Sequence, residues 1–160
     1  MTQEQWLAQY IASCFAGVTL GNGIDLYAAQ SMDDHGNPDE DHLSLSAERH
    51  DWRRVPSDDL FPRFWAVTFL DALGFRFYTP AIMTALLQPD DPGECLSSWF
   101  LANLSITQQG TIKEVPFNTL FTARHKAALM RFLKYAIYNR SRRFDTDVAI
   151  HRMNEIQARS

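Results

Sequence analysis

The sequence predicts a mainly α fold, a single compact multi-helix domain over residues 1–160, with room for one short β-hairpin near residues 99–115. Three observations predict it. Near the start, Trp6, Leu7, Tyr10, Ile11, Cys14 and Phe15 recur at helical spacing; near the end, Leu129, Phe132, Leu133, Ala136 and Ile137 do the same. Between them, residues 61–78 hold the densest aromatic stretch and mark the centre of a core. A chain of 160 residues can bury roughly two-thirds of its unfolded surface, so neither a disulfide framework nor a structural metal is needed for stability.

Taken in order, Thr2 caps the first helix, and Gln5 three residues on completes a capping box. Gly17, Gly21 and Gly23 end it. Gly21-Asn22-Gly23 lacks the third glycine and the downstream Lys-Ser/Thr of phosphate loops, so it reads as a turn. A short helix around Leu26 to Met32 leads into the most polar part of the chain, where residues 33–45 are expected to form an exposed acidic loop. Ser46 to Trp52 reads as a short helix, and Ser57 as the cap of another from Asp58 to Phe64.

Thr79-Pro80 has the form of an N-cap and first helical residue, opening a helix that buries Ile82, Met83, Leu86 and Leu87 and stops near Pro89. Asp90-Asp91-Pro92-Gly93 is a turn. Ser97 to Val115 fits helix or strand; one short extended pair is assigned, with Gln109-Gly110 turning before Thr111-Ile112. A long helix from about Thr122 to Asn139 carries Arg124, Arg131, Tyr135, Tyr138 and Arg142 opposite its apolar stripe. The last helix, Asp145 to Gln157, buries Val148, Ile150 or Met153, and Ile156. No internal repeat or linker divides the chain.

The net charge of −4 conceals two poles. Residues 1–110 carry 15 acidic and 5 basic side chains, net −10; residues 111–160 carry 4 and 10, net +6. The two parts are expected to attract each other in the fold, ahead of the alternative that each faces its own partner. A sequence pI of about 5.7 argues against nucleic acid. No apolar run approaches a membrane span, and the residues after Met1 lack a signal peptide's basic start, so a cytoplasmic protein without a membrane partner is expected. Cys14 and Cys95 read as small core residues, not as a bridge.

Asp33 to Asp51 gathers carboxylates and imidazoles in numbers that suit a divalent cation. The EF-hand pattern fails, however: with Gly36 at the glycine position, Ser31 and His42 fall where Asp and Glu are required, so no metal and no cofactor are expected. There is no GxSxG elbow and no Cys-His signature, and an enzyme is disfavoured. His125 reads as a half-exposed structural imidazole. Arg76, flanked by Phe75, Phe77 and Tyr78, must reach the surface or pair with a carboxylate. An ion pair with Asp71 is preferred, with Asp58 and Asp59 as competing partners and a ligand-binding arginine as the other reading. The cation and aromatic stripe on the long helix has the composition of a recognition surface.

Phe69-Leu70-Asp71-Ala72-Leu73-Gly74-Phe75-Arg76-Phe77-Tyr78-Thr79-Pro80-Ala81 resembles a bacterial family of small proteins known only as a domain of unknown function. Phe15-Ala16-Gly17-Val18, Leu20 to Leu26, Asp51-Trp52 before Val55-Pro56, and Leu120-Phe121-Thr122 with Lys126-Ala127 and Phe132-Leu133 extend the resemblance over most of the chain. It implies a cytoplasmic bacterial protein of mostly helical architecture and supplies no catalytic residues. Some small domains of this kind serve as immunity partners that neutralise a toxin.

The function expected from these readings is non-enzymatic binding of another protein, as an immunity-type or accessory inhibitor of a cognate toxin or effector. The surfaces expected to carry it are Asp39, Glu40 and Asp41 in the acidic loop, or the stripe of Arg124, Arg131, Tyr135, Tyr138 and Arg142. The alternative is a small metal-dependent or acid–base enzyme using the His/Asp-rich loop.

Overall fold

A computed structural model of the chain describes residues 1–88, 94–139 and 144–159. Its helices are α1 (Gln3–Cys14), α2 (Leu26–Asp33), α3 (Pro38–Ser44), α4 (Ser57–Leu60), α5 (Ala72–Leu86), α6 (Glu94–Asn103), α7 (Phe117–Leu120), α8 (Ala123–Tyr138) and α9 (Thr146–Gln157). Two 3-10 segments, Trp52–Arg54 and Phe61–Phe69, precede α5, and the second kinks at Arg63 (φ −107°, ψ 30°). The strands β1 (Thr111–Ile112) and β2 (Val115–Pro116) pair antiparallel, Thr111 with Pro116 and Ile112 with Val115. The expected mainly α domain is what forms.

α5 is the axis of the core. Twelve of its 15 residues are buried, and only Leu73, Arg76 and Thr84, on one narrow face, reach solvent, so it is enclosed around most of its circumference. α1, α4, α6 and α7 pack around it, α2 and α3 lie with the Phe61–Phe69 segment, and α8 joins α1 to α9. Phe75, Phe100, Phe121 and Phe132 are fully buried, and their rings meet edge-on or tilted at centroid distances of 6.0–6.4 Å.

The helix expected to open at Thr79-Pro80 opens eight residues earlier. Asp71 is its N-cap, accepting a 2.8 Å bond from the Gly74 amide. Pro80 lies inside the helix, where its missing N–H leaves the Arg76 carbonyl without its usual partner. Complete burial of Phe75, Phe77 and Ile82 on both sides of the proline holds the helix through that defect. The Thr79 hydroxyl donates to the Phe75 carbonyl at 2.6 Å instead of capping.

The Asp71 carboxylate does a second thing: the same Oδ1 accepts from the Ile24 amide at 3.0 Å. That bond draws the Gly21–Asp25 turn against the first turn of α5, and two glycines permit the approach. A Cβ on Gly74 would run into the Ile24 carbonyl oxygen, and one on Gly23 would lie 2.8 Å from the Gly74 amide nitrogen. Asp25, 3% exposed, then caps α2 through Oδ1 and takes the Ser44 hydroxyl (2.6 Å) and Arg49 (3.5 Å) on Oδ2. Arg49 also donates to the Gly21 and Gly23 carbonyls, and the Leu26 amide donates to the buried Tyr78 hydroxyl at 3.0 Å.

The segment 33–45 has no buried residue, as expected, but its residues 38–44 are helix and only 34–37 and 45 are turn or irregular. Asn37 caps α3 with Pro38 in its first turn, and Asp39, Glu40 and Asp41 sit where the helix dipole favours acids. Residues 46–51 are not helical, and Pro56, not Ser57, stands at the start of α4. Residues 97–103 belong to α6, and the hairpin turns at Lys113-Glu114 (φ 49° and 66°) rather than at Gln109-Gly110. Two non-glycine residues in the left-handed region are strained. Lys113 offsets this with 2.9 Å bonds from Nζ to the Val67 and Thr68 carbonyls, while burial pulls its pKa down to about 8. Cys14 is buried as expected, but Cys95 is exposed; in α9, Ala149 and Ile156 are buried while Ile150 is 39% exposed. The turn expected at Asp90 to Gly93 lies outside the described residues.

Gly74→Ala tests the close approach. In an ordinary helix this change stabilises by up to about 1 kcal/mol; here it should destabilise by about 3 kcal/mol, read as a lowered urea midpoint, because the turn must withdraw from α5.

Candidate partner-binding face

α1 and α8 lie side by side in opposite directions. Near one end Arg124 donates from Nη2 to the carbonyl and hydroxyl of Ser13, both at 3.1 Å. In the middle the Arg131 guanidinium covers the rings of Tyr10 (4.6 Å to the centroid) and Trp6 (5.2 Å), which stack on each other at 5.4 Å and 13°. At the far end the Tyr135 hydroxyl donates to Glu4 at 3.1 Å, and Asn139 reaches the same oxygen at 3.5 Å. Gln3, Trp6, Leu7, Lys134, Tyr135 and Tyr138 enclose, with Arg131, a recess of about 210 Å³.

Of the stripe expected to be exposed, Arg131 and Tyr138 stand at the surface beside this recess, with Tyr138 78% exposed. Tyr135 does not: it is 3% exposed, because the ring packs edge-on to Phe144 while its hydroxyl holds Glu4. Arg124 is exposed but tied to Ser13, away from the recess, and Arg142 lies outside the described residues. Trp6, Tyr10 and Lys134 complete the face. The signal for Trp6 and Tyr10 was present: Leu7, Ile11 and Cys14 form the buried stripe of α1, and Trp6 and Tyr10 sit one position off it, about 100° around the helix.

The acidic candidates behave differently. Glu40 meets Arg63 through two bonds of 2.8 and 3.0 Å, and both side chains are 14% exposed. Arg63 also reaches the Asp59 carboxylate at 3.6 Å and lies 4.9 Å from the Tyr27 ring centroid. Burial, together with its 2.7 Å bond to Asp59, pushes the Tyr27 hydroxyl up. Glu40 is therefore a structural clamp between α3 and the Phe61–Phe69 segment, while Asp39 and Asp41 are exposed. Among the described residues no group of three or more His, Cys, Asp or Glu gathers in a way that could hold a metal ion.

The ion pairs in which both partners are described each lie within one pole. Arg49–Asp25, Arg53–Asp51, Arg54–Asp51 and Arg63–Glu40 lie in the acidic part, and His151–Glu155 and Arg152–Glu155 in the basic part. The expected neutralisation of one pole by the other is not made by pairing among the described residues. Arg131 and Lys134, both exposed, are left without a carboxylate partner among them.

The expected Arg76–Asp71 pair also does not form, since Asp71 is committed to Gly74 and Ile24. The other expected partners do not replace it: Asp59 goes to Arg63 and Tyr27. His125 is more buried than expected, 8% exposed, stacked on Phe15 at 4.3 Å, with its Nδ1 accepting from the Thr122 amide. Burial, with the charges of Arg76 and Arg124, lowers its pKa to about 4.

Two outcomes follow. Glu40→Ala should cost about 2 kcal/mol in the urea midpoint, whereas Asp39→Ala, on the open side of α3, should change it by less than about 0.5 kcal/mol. Because the folded-state pKa of His125 lies near 4 and the unfolded value near 6.5, the unfolded chain binds the proton preferentially between those values. Stability should therefore fall by about 2–3 kcal/mol as pH drops through that window, and His125→Gln, which keeps a capping side chain but cannot titrate, should flatten the decline in denaturation series at pH 7 and 4.5.

Among the described residues no helix is long and apolar enough to cross a membrane. No curated protein and no solved structure matches the chain. A family model does, over residues 3–157, essentially the whole of the helical domain built around α5: the chain belongs to a family of unknown function, DUF6714.

Proposed function

We propose that this domain acts by binding another protein through the α1/α8 face, as a non-enzymatic, immunity-type or accessory inhibitor in the bacterial cytoplasm. The observation that carries the reading is the exposed stack of Arg131 on Trp6 and Tyr10, beside Lys134 and Tyr138, around one recess. Trp, Tyr and Arg supply most of the binding energy where proteins meet, because each offers a large rigid surface with a polar or charged edge. Exposed cations without internal carboxylates favour a partner whose matching surface is acidic, and steer its approach. A cognate toxin or effector with such a surface would be neutralised by occlusion, with no chemistry required of this chain.

The acidic edge of α3 is the weaker candidate, since Glu40 is withdrawn into the Arg63 clamp. The test uses three baits: the wild-type chain, Trp6→Ala with Arg131→Glu, and Asp39→Lys with Asp41→Lys. A stoichiometric partner should be retained by the first and third and lost by the second. Loss on the third alone would move the site to α3, and equal retention by all three would discard both faces.

A further inference from the structure

The recess between α1 and α8 is small. Its volume of about 210 Å³ falls below the roughly 300–1,000 Å³ of a pocket for a cofactor-sized molecule, while a cavity of about 150 Å³ is enough for one benzene ring. One side chain fits. Leu7 and Tyr135, 2% and 3% exposed, form its base, and the open Trp6 and Tyr138 rings stand beside them, so the walls are largely aromatic. Such walls take another ring edge-on, with the positive edge of one against the face of the other.

The cations that line the recess are unspent. Arg131 lies over the Tyr10 and Trp6 rings, a contact that uses its charge and none of its N–H donors, and among the described residues it makes no hydrogen bond. Lys134, also exposed, follows three residues later on the same face of α8. The Glu4 carboxylate does not answer them: it is engaged by the Tyr135 hydroxyl and by Asn139, and it is not among the residues that line the recess. Two exposed cations beside an aromatic recess one ring in size define their complement, a ring with acids next to it.

We propose that the recess takes a single aromatic side chain of the partner, flanked in the partner's sequence by carboxylates that pair with Arg131 and Lys134. This rests on the α1/α8 face as the docking surface and specifies what is presented to it: an acidic segment with one aromatic anchor. Arg131 is already held over Trp6 and Tyr10, so a carboxylate can engage its paired donors without first ordering a free side chain. The ring supplies the affinity, because it fills a desolvated recess, and the flanking acids supply the selectivity. A basic segment of the same shape sets like charges against Arg131 and Lys134 and is rejected.

The probe is the blocked tripeptide acetyl-Asp-Phe-Asp-amide, titrated into the full chain and read at the Trp6 indole N–H resonance in proton NMR, which Trp6→Phe identifies. The resonance should move saturably, with an apparent Kd roughly tenfold tighter than for acetyl-Asp-Ala-Asp-amide or acetyl-Asn-Phe-Asn-amide, and acetyl-Lys-Phe-Lys-amide should leave it in place. Arg131→Gln and Lys134→Gln, both at exposed positions, should each weaken binding about threefold. Equal affinity for the phenylalanine and alanine peptides overturns the anchor. Equal affinity for the aspartate and asparagine peptides, or affinity that survives both substitutions, overturns the flanking acids. Tighter binding of acetyl-Asp-Phe with a free terminal carboxylate replaces the internal segment by a chain end, and the absence of any saturable shift overturns the proposal whole. The pull-down with the Trp6→Ala, Arg131→Glu bait reads the face independently of this chemistry. A partner lost from that bait while the peptides fail to bind leaves the face standing and this inference overturned; a partner retained by it overturns the face.

Discussion

The structure depends on one close approach, the seating of the Gly21–Asp25 turn on the first turn of α5. Asp71 bonds to amides on both sides of that contact, and only hydrogen fits at Gly23 and Gly74. Asp25, fixed at the far end of the turn, then organises α2, Ser44 at the end of α3, and Arg49. Buried carboxylates are unfavourable unless every lone pair finds a donor, and Asp25 meets that condition with two amides, a hydroxyl and a guanidinium. The acidic half of the chain is therefore spent inward as much as outward: a good part of its charge is consumed in holding short helices against a long one.

That use of charge shapes the surface. Arg49 and Arg63, which a simple count would set against the net negative charge of the first 110 residues, are committed to Asp25 and Glu40 inside that region. The basic part receives no ion pair in return among the described residues, and Arg131 and Lys134 stay in the open beside Trp6. Contacts between the poles are of a different kind. Arg152 donates to the Leu101 carbonyl, Arg159 to that of Thr107 and Lys113 to those of Val67 and Thr68. These bonds use basic side chains as backbone caps, which ties the parts together without cancelling their fields.

Much of the helical frame was legible because its signals are local. Thr2 and Gln5 form the capping box that their spacing announces, and Thr122 opens α8 where the pattern placed it. Failures occurred where a local rule met a tertiary one. Thr79-Pro80 has the form of a helix start, but the core around α5 carries the helix through the proline, and Asp71 five residues before Arg76 is the true cap. Tyr135 has the spacing of an exposed stripe, yet Glu4, distant in sequence, draws its hydroxyl inward. The acidic stretch read as loop became α3 because Asn37 and Pro38 start a helix and Arg63, 23 residues on, fastens Glu40. Of the candidate face, the α8 contribution could be read from spacing; the α1 contribution required knowing which helix lies beside it.

Pro80 leaves a lasting mark on the central helix. Its absent amide removes one rung from the ladder of backbone bonds, at the Arg76 carbonyl, in a helix that is otherwise continuous. Before the proline, Gly74 meets the glycine turn and Tyr78 holds the Leu26 amide at the start of α2; after it, Ala81 and Ala85 line a cleft shared with Ala8 and Ala12 of α1. The missing bond makes that position the weakest point of the ladder, and side-chain packing on both sides of it carries the helix through. A rod at the heart of the domain is thus built with a weak point at its middle, kept shut by the enclosed side chains on either side of it.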